Sequence, residues 1–518
     1  MERSQRHIAR SALLVMGAIA LSRVLGLVRN VAFSYFFGTR AEMDAYVVAA
    51  RIPEMLFLVM AGGALGSAFI PLFTARLTQG DEEGAWRLAS AVVNLLVVFM
   101  APLSLLAIVL APWLVRTWVA PEFSPALQAR TVALLRIMLL SPTIFGVSGI
   151  LMGVLNAYQR FLLPALAPSL YNLALIGGAI WGGLVGGGTM GPAVASVIGA
   201  VAHLLLQVIG LMRYQVRHRL ELSLDDPGVR TVGMLMLPRM LGVAAVQINF
   251  VVTNNLASGM GTGAVSALTY AWALVLLPQG IFAQALGITA FPTLSAQAAQ
   301  EDLRGLRRTV SRALRTLVAL LIPATAGLMI LGEPIVAFLL ERGAFGAEST
   351  DSVAFALTLF ALGLLGHGAI EILARAFYAV HNTWIPALAA IGAMVLNVIL
   401  GLTLPPFFEQ AGWEPFGGLA LANSLAALLE MGVLLLLLAK RIGGLSRHSL
   451  VKGVLLPGLA ALGMVVAVYL WLRISPENSL VQSLGGMAVG MSAYGLLAWL
   501  LGVEALRSAL EGWRRRGA

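Results

Sequence analysis

The stretch SALLVMGAIALSRVLGLVRNVAFSYFF, residues 11–37, decides the fold class. It is long enough to cross a bilayer, for which a helix needs about 20 mainly apolar residues. It also carries two arginines, Arg23 and Arg29. A charged side chain inside a membrane costs roughly 2.5–3.5 kcal/mol on insertion scales, and it usually faces a cavity or a partner. The stretch therefore predicts a membrane helix whose arginines have a function.

The composition of the whole chain supports a membrane protein. Of 518 residues, 59% are hydrophobic and only 11% are charged, whereas a soluble domain is roughly 45–50% apolar and about 25% charged. The mean hydropathy is +0.89. The net charge of +10 does not indicate nucleic acid as a partner, because the basic residues cluster at the ends of apolar spans, where membrane topology explains them.

The sequence lacks the residues that several kinds of catalytic or metal site require. The chain has no cysteine and only six scattered histidines, so thiolate metal sites and histidine-based metal enzymes are disfavoured. It also lacks the glycine-rich Walker motif of ATP-hydrolysing proteins. We therefore expect no cofactor. Transport, if that is the activity, would draw on the membrane potential, H⁺ or Na⁺, a choice that the residues leave open.

Apolar segments of spanning length predict about fourteen transmembrane helices. They lie near 10–37, 42–75, 86–112, 127–157, 161–184, 190–213, 231–258, 263–295, 310–332, 350–380, 384–404, 416–439, 450–473 and 480–503. An even number places both termini on one side. The termini and the loops on their side carry many arginines, whereas opposite loops such as VGGGTMG (185–191) are nearly free of Lys and Arg. Both termini should therefore be cytoplasmic.

An internal repeat divides the predicted helices. Three short matches recur in order at an offset of 216 to 222 residues. They are SRVLG at 22–26 with PRMLG at 238–242, ALGSAFIPLFTA at 64–75 with ALGITAFPTLSA at 285–296, and PALA at 164–167 with PALA at 386–389. Because each half has six spans, the halves should be parallel repeats.

We therefore predict an all-α polytopic protein with two six-helix lobes and two extra helices. The N-lobe covers 1–220, the C-lobe 225–442, and the additional helices with a basic cytoplasmic tail cover 443–518.

The N-lobe concentrates charged residues inside its spans. Arg23 and Arg29 are six positions apart, so they point about 120° apart and lie about 9 Å apart along the helix axis. Arg51 and Asp44 occupy the second span, and Arg239 in the seventh is the repeat counterpart of Arg23. Guanidinium groups bind phosphate in a bidentate manner. The pattern favours a cationic cavity for a phosphate-bearing substrate, although Asp44 could instead be a structural partner of an arginine.

The C-lobe has its own intramembrane group. His367, Glu371 and Arg375 follow one another at four-residue spacing and share a helical face. We expect Glu371 and Arg375 to form an internal ion pair, and His367 with Glu371 is a candidate proton-sensitive site.

With these residues in place, the chain resembles the MurJ (MviN) lipid II flippases of the multidrug/oligosaccharidyl-lipid/polysaccharide exporter superfamily. The resemblance extends over essentially the whole chain. The matching segments are SRVLGLVRNVAFSYFFG at 22–38, DAY at 44–46, GALGSAFIPLF at 63–73, GVLNAYQRFLLPALAPSLYN at 153–172, ALTYAWALVLLPQGIFAQALGITAFPTLS at 267–295 and RAFYAVHNTWIPAL at 375–388.

The resemblance implies a lipid-linked peptidoglycan precursor as substrate, moved to the outer leaflet by alternating access. By motif, Arg23 and Arg29 would bind the pyrophosphate and head group, with Asp44 near the outer end. Asn30 stands where the family usually has an acid, and other family arginines are missing. Arg51 and Arg239 are our candidates to replace them.

Some members of this family also have a sodium site in the C-lobe. The approximate positions here are occupied by polar residues without a carboxylate among them, so sodium should bind weakly. They are Thr253, Asn254, Asn397 and Asn423.

Alternative functions are a flippase for another undecaprenyl-linked saccharide and a cation-coupled drug antiporter. A membrane enzyme would need paired catalytic carboxylates, and no such pair is present in the sequence. We expect a monomeric, multi-pass transporter of the bacterial inner membrane.

Overall fold

The structure is a computed structural model that describes residues 2–61, 69–214, 216, 218–444 and 447–503. Within those ranges the chain forms helices and no strand, as the sequence predicts. The α-helices are α1 (Glu2–Phe37), α2 (Ala41–Ala61), α3 (Ile70–Thr78), α4 (Glu82–Leu114), α5 (Pro125–Met138), α6 (Ser141–Ala157), α7 (Leu162–Leu184), α8 (Met190–Leu211), α9 (Pro227–Ser258), α10 (Ala264–Pro278), α11 (Ala285–Ala299), α12 (Leu303–Ile330), α13 (Gly332–Leu340), α14 (Ala347–Ala361), α15 (Leu364–Ala379), α16 (Trp384–Gln410), α17 (Phe416–Arg441), α18 (Arg447–Ile474) and α19 (Gly486–Leu500).

Most predicted spans coincide with single helices or with helices in direct succession. Among the described residues, 11 helices are long and apolar enough to cross a membrane, or up to 12 if α14 and α15, which meet at a bend of 43°, form one span. The two other predicted spans coincide with α2 followed by α3, and with α9. α2 is less apolar because it carries Glu42, Asp44, Arg51 and Glu54. The helices are therefore consistent with the predicted fourteen spans.

Aspartate caps begin two corresponding helices. Asp81 precedes α4 and accepts a hydrogen bond from the amide of Gly84 at 2.8 Å. Asp302 precedes α12 and accepts one from the amide of Gly305, also at 2.8 Å. Such caps satisfy amides that have no partner within the helix. Residues 81 and 302 are separated by 221 positions, which falls within the offset of the predicted repeat.

Contacts divide the chain into two compact units. Unit 1 contains Met1–Ser266 and Arg342–Phe345, and unit 2 contains Ala267–Glu341 and Gly346–Ala518. α9 belongs to unit 1, where it packs against α2 and α4. The predicted lobe boundary at 220–225 was drawn from the sequence repeat. The division by contacts does not test it, so it stays a prediction.

Each unit has a hydrophobic core that fixes its helices. In unit 1, Phe69 and Phe73 pack with Trp86 and Met100 of α4 and with Ile150 of α6, and all five are buried. In unit 2, α18 and α19 pack on α12 through a separate cluster. The hydroxyl of Tyr494 on α19 donates to the carbonyl of Ala319 on α12 at 2.6 Å. The last two helices are therefore attached to α12.

Candidate functional site

Arg29 lies in the C-terminal half of α1 and is held by two amide side chains. Its Nη1 donates to Oδ1 of Asn172 at 3.2 Å. Its Nε and Nη2 donate to Oδ1 of Asn30 at 3.4 and 3.2 Å. Both partners are neutral, and none of the ion pairs between described side chains includes Arg29. The guanidinium is therefore oriented without losing its positive charge.

Asn172 on α7 connects the two helices that form this site. While its Oδ1 accepts from Arg29, its Nδ2 donates to the carbonyl of Ser22 at 3.2 Å. Gly26 lies beside this contact, and a Cβ there would be in ordinary van der Waals contact with Nδ2 of Asn172, at 3.8 Å. Asn172 was not among the site residues predicted from the sequence. The available signal was its place at the end of the family-like segment 153–172.

Arg23 lies on α1, six residues before Arg29. Its side chain is exposed. It precedes Asn30 by seven residues, so the two share a helical face to within about 20°. Arg23 is therefore positioned to present a second guanidinium about 9 Å from Arg29 along the axis.

Arg51 on α2 has a charged partner that was not predicted from the sequence. Its Nη1 lies 3.2 Å from Oε2 of Glu54, and the side chains are 18% and 50% exposed, respectively. The guanidinium also lies over the ring of Phe250 on α9, 5.4 Å from the centroid. The charge of Arg51 is thus offset in this structure, unlike that of Arg29. The spacing of three residues between Arg51 and Glu54 was the signal for this pair.

Asp44 is bound to backbone amides and not to an arginine. It is only 1% exposed. Its Oδ2 accepts from the amide of Gly263 at 2.6 Å, and its Oδ1 accepts from the amide of Ser266 at 2.8 Å. Asp44 therefore caps the N-terminus of α10, where the helix dipole favours a negative charge.

A cavity of about 580 Å³ adjoins Asp44, and its lining includes Glu42, Glu122 and Arg130. Nη1 of Arg130 lies 3.0 Å from Oε1 of Glu42. With three carboxylates and one guanidinium, this lining is acidic, so it does not suit a pyrophosphate. The anion-binding candidate remains the arginine site on α1.

The intramembrane histidine of unit 2 binds an amide and not the neighbouring glutamate. Nε2 of His367 lies 2.9 Å from Oδ1 of Asn423 on α17. The ring of Trp272 meets the His367 ring edge to face at 5.1 Å. The expected His367–Glu371 site is thus not formed by a direct hydrogen bond.

Glu371 and Arg375 form the expected ion pair on α15. Nη1 of Arg375 donates to Oε2 of Glu371 at 2.6 Å and to the carbonyl of Glu371 at 2.9 Å. The arginine also contacts Gly287 of α11, where a Cβ would clash with the guanidinium.

The four polar residues considered for a sodium ion belong to different units. In unit 1, the Thr253 hydroxyl donates to the carbonyl of Asn249 at 2.9 Å, and Asn254 is buried with its Nδ2 unpaired. In unit 2, Asn397 is buried, while Asn423 binds His367. Across the described residues, no group of three or more His, Cys, Asp or Glu side chains could hold a metal ion. Arg239 belongs to α9, but its side chain lies outside the described part of the chain.

Comparison with known proteins identifies the family. The family model described as "Lipid II flippase MurJ" matches residues 33–486. A lipid II flippase MurJ of Burkholderia cenocepacia is 32% identical over 445 residues, which cover 84% of this chain and 84% of that protein. A probable lipid II flippase MurJ of Bdellovibrio bacteriovorus is 30% identical over 527 residues, which cover 97% of each chain.

Solved structures show the same relationship. A lipid II flippase MurJ in an inward closed conformation matches with a TM-score of 0.80 and 26% identity, covering 94% of this chain and 98% of that one. An inward-facing MATE family transporter of the MOP superfamily matches with a TM-score of 0.69 over 83% of this chain, and its 16% identity supports a shared fold alone. The protein described here is thus a multi-pass membrane protein that belongs to the lipid II flippase MurJ family.

Proposed function

We propose that this protein moves lipid II from the inner to the outer leaflet of the bacterial inner membrane by alternating access. Family membership supports this class of transport. The observation that carries the proposal is the state of Arg29, whose guanidinium is held within the membrane by two neutral amides. Its uncancelled charge is available to an anion.

A lipid pyrophosphate fits this arrangement. Guanidinium groups form paired hydrogen bonds with phosphate oxygens, and such charge-assisted bonds are roughly twice as strong as neutral ones. With the N-terminus in the cytoplasm, as the arginine distribution indicates, a head group entering from the cytoplasm would reach Arg23 before Arg29. Arg51 and Arg239 are further candidates, and Asp44 acts by holding the N-terminus of α10 instead of touching the substrate.

Several features of the proposal follow from this transport class. The protein works as a monomer without a cofactor and forms no covalent intermediate. It takes its energy from the membrane potential or an ion gradient. No nucleic acid takes part. Both termini lie in the cytoplasm.

Complementation of a flippase-depleted bacterial strain tests the proposal. Arg29→Ala should fail to prevent lysis, and lipid II should accumulate in the inner leaflet. Arg29→Lys keeps the charge but loses the planar fork, so it should give partial growth. The matched control is Arg473→Ala, because Arg473 lies near the end of α18 and its Nε donates to the Tyr469 hydroxyl at 2.9 Å.

Two results would argue against the proposal. The first is full growth of the Arg29→Ala strain with normal lipid II levels. The second is accumulation of a different undecaprenyl-linked saccharide with no change in lipid II, which would change the substrate and keep the transport class.

A further inference from the structure

Glu430 places a carboxylate deep within a membrane-spanning helix. α17 (Phe416–Arg441) is apolar and long enough to cross the bilayer. At 1.5 Å per residue, Glu430 lies roughly 21 Å from the first residue of the helix and roughly 16 Å from the last. An ionisable residue at this depth is costly and commonly marks an ion or proton pathway.

The packed face of α17 carries this carboxylate. Of its neighbours at three- and four-residue spacing, Ala426, Ala427 and Leu434 are 4%, 4% and 0% exposed, and Val433 is 37% exposed. α15 approaches this face closely, because a Cβ on Gly366 would lie 2.8 Å from the carbonyl carbon of Ala427. Glu430 itself is half-buried, so it lies among helices of unit 2 and is still accessible.

Ionisable residues of the helices packed against α17 could in principle offset this carboxylate. They are Glu348 and Asp351 of α14, His367, Glu371 and Arg375 of α15, and Glu409 of α16. Those of α14 and α16 are remote. α14 meets α17 at Gly417 through Phe355 and Leu359, and at Ser424 through the carbonyls of Leu359 and Phe360. Glu348 and Asp351 precede Phe355 and therefore lie on the side of these contacts away from Glu430. Pro405 of α16 meets α17 at Gly418, twelve residues and roughly 18 Å from Glu430, and Glu409 lies beyond that contact.

The residues of α15 lie at the right depth but are engaged elsewhere. The contact of Gly366 with Ala427 sets Glu430 at the level between His367 and Glu371. His367 is bound to Asn423, seven residues before Glu430 on nearly the same face of α17. Arg375 is bound to Glu371. No hydrogen bond or ion pair reaches the Glu430 carboxylate from the part of the chain that the structure describes.

We propose that Glu430 is the proton-accepting group that couples ion movement to transport, an inference that rests on the proposed flippase function. An unpaired carboxylate at this depth is stabilised by neutralisation. A carboxylate oxygen takes a proton from water on one side of the membrane and forms an O–H bond. When access changes, that bond breaks and the proton passes to water on the other side. The carboxylate is regenerated, and one proton has crossed.

A proton suits this site better than a sodium ion. Metal cations need several oxygen ligands, whereas a single carboxylate is sufficient to accept a proton. Asn423, a side-chain amide seven residues before Glu430, has its oxygen bound to His367. The described residues also offer no cluster of carboxylates and histidines for a metal ion.

Infrared spectroscopy of the purified full-length protein tests the protonation directly. A pH titration should show the carbonyl stretch of a protonated carboxylic acid, which disappears as the pH rises. Glu430→Gln should remove this band, and Glu430→Asp should retain a shifted one. Glu409→Gln is the matched control, because Glu409 is an exposed glutamate at the outer end of α16, and it should leave the band unchanged. A band that persists in Glu430→Gln overturns the inference.

Reconstituted vesicles with lipid II and a luminal pH dye test the coupling. The rate of the wild type should change about tenfold per pH unit on the limiting side of its titration, as one proton per cycle requires. Glu430→Gln should flatten that dependence to less than about twofold and abolish the dye signal that accompanies transport. A rate that responds to sodium and not to pH overturns the inference. Failure of the proposed function looks different, because the wild type would then move no lipid II at any pH while the infrared titration persists.

Discussion

Replacing Asp44 by asparagine should destabilise the N-terminus of α10. The Asp44 carboxylate accepts from the amides of Gly263 and Ser266 at 2.6 and 2.8 Å, and the side chain is 1% exposed. An asparagine at this position keeps one acceptor and turns an NH₂ group toward the other amide. Water cannot replace the lost partner at so buried a site.

The size of the effect follows from three contributions. One charge-assisted hydrogen bond disappears, worth about 1.5–3 kcal/mol. The remaining bond weakens, because bonds to charged acceptors are roughly twice as strong as neutral ones. The favourable interaction of a carboxylate with a helix N-terminus, about 0.3–1 kcal/mol, is also lost. Together these give about 2–4 kcal/mol, which corresponds to about 30- to 900-fold in the local opening equilibrium.

Hydrogen–deuterium exchange measured by mass spectrometry reports this equilibrium directly. Peptides covering residues 262–268 should exchange about 30- to 900-fold faster in Asp44→Asn than in the wild type. Glu42→Gln is the control, because Glu42 lies two residues earlier and pairs with Arg130. It should leave these peptides unchanged. Equal exchange in Asp44→Asn and the wild type would refute the assignment of Asp44 as the cap of α10.

Three further substitutions, one of them a control, test two other contacts. The hydrogen bond from Arg76 lowers the pKa of Asp226 below its ordinary value of 3.8, so the folded protein favours the carboxylate. The resulting stabilisation is fully present above about pH 3.8 and is lost as the pH falls through the lowered pKa. In thermal unfolding, Asp226→Asn should therefore be less stable than the wild type by about 1–2 kcal/mol from pH 7 to 5. This difference in stability should vanish in stronger acid. A difference that stays constant at all pH values would contradict the ion pair. Gly363→Ala would place a Cβ 2.6 Å from the Cα of Ser424 and should lower stability by about 1–3 kcal/mol. Gly392→Ala is the control, because a Cβ at Gly392 would meet no atom within 4 Å, and it should be neutral or stabilising in the same assay. Equal effects of the two glycine substitutions would contradict the close packing of α15 on α17.

The helices were predictable because apolar length is a local property of the sequence. Most predicted spans coincide with one helix or with helices in direct succession. The division of the tenth span into α14 and α15 was not predicted, because no proline marks it. Gly363 lies at the break, and its role depends on contact with Ser424, a residue 61 positions away in the sequence.

The charged residues of the site were predictable, whereas most of their partners were not. Arg29 was identified because a guanidinium in an apolar segment is unusual. Its partner Asn172 is separated from it by 143 positions, and no local spacing in the sequence links the two residues. The Asp44 contacts likewise join residues 219 and 222 positions apart. By contrast, the Arg51–Glu54 pair could have been predicted from its spacing of three residues.

Binding of lipid II to the purified protein tests the central claim most directly. Losing the charge-assisted bonds of one guanidinium, about 1.5–3 kcal/mol, should raise the Kd of Arg29→Ala about 10- to 150-fold. Binding of undecaprenol, which lacks the pyrophosphate, should stay the same in both proteins, and Arg473→Ala should bind lipid II like the wild type. If Arg29→Ala binds lipid II as tightly as the wild type, the account of Arg29 as the pyrophosphate-binding residue is wrong.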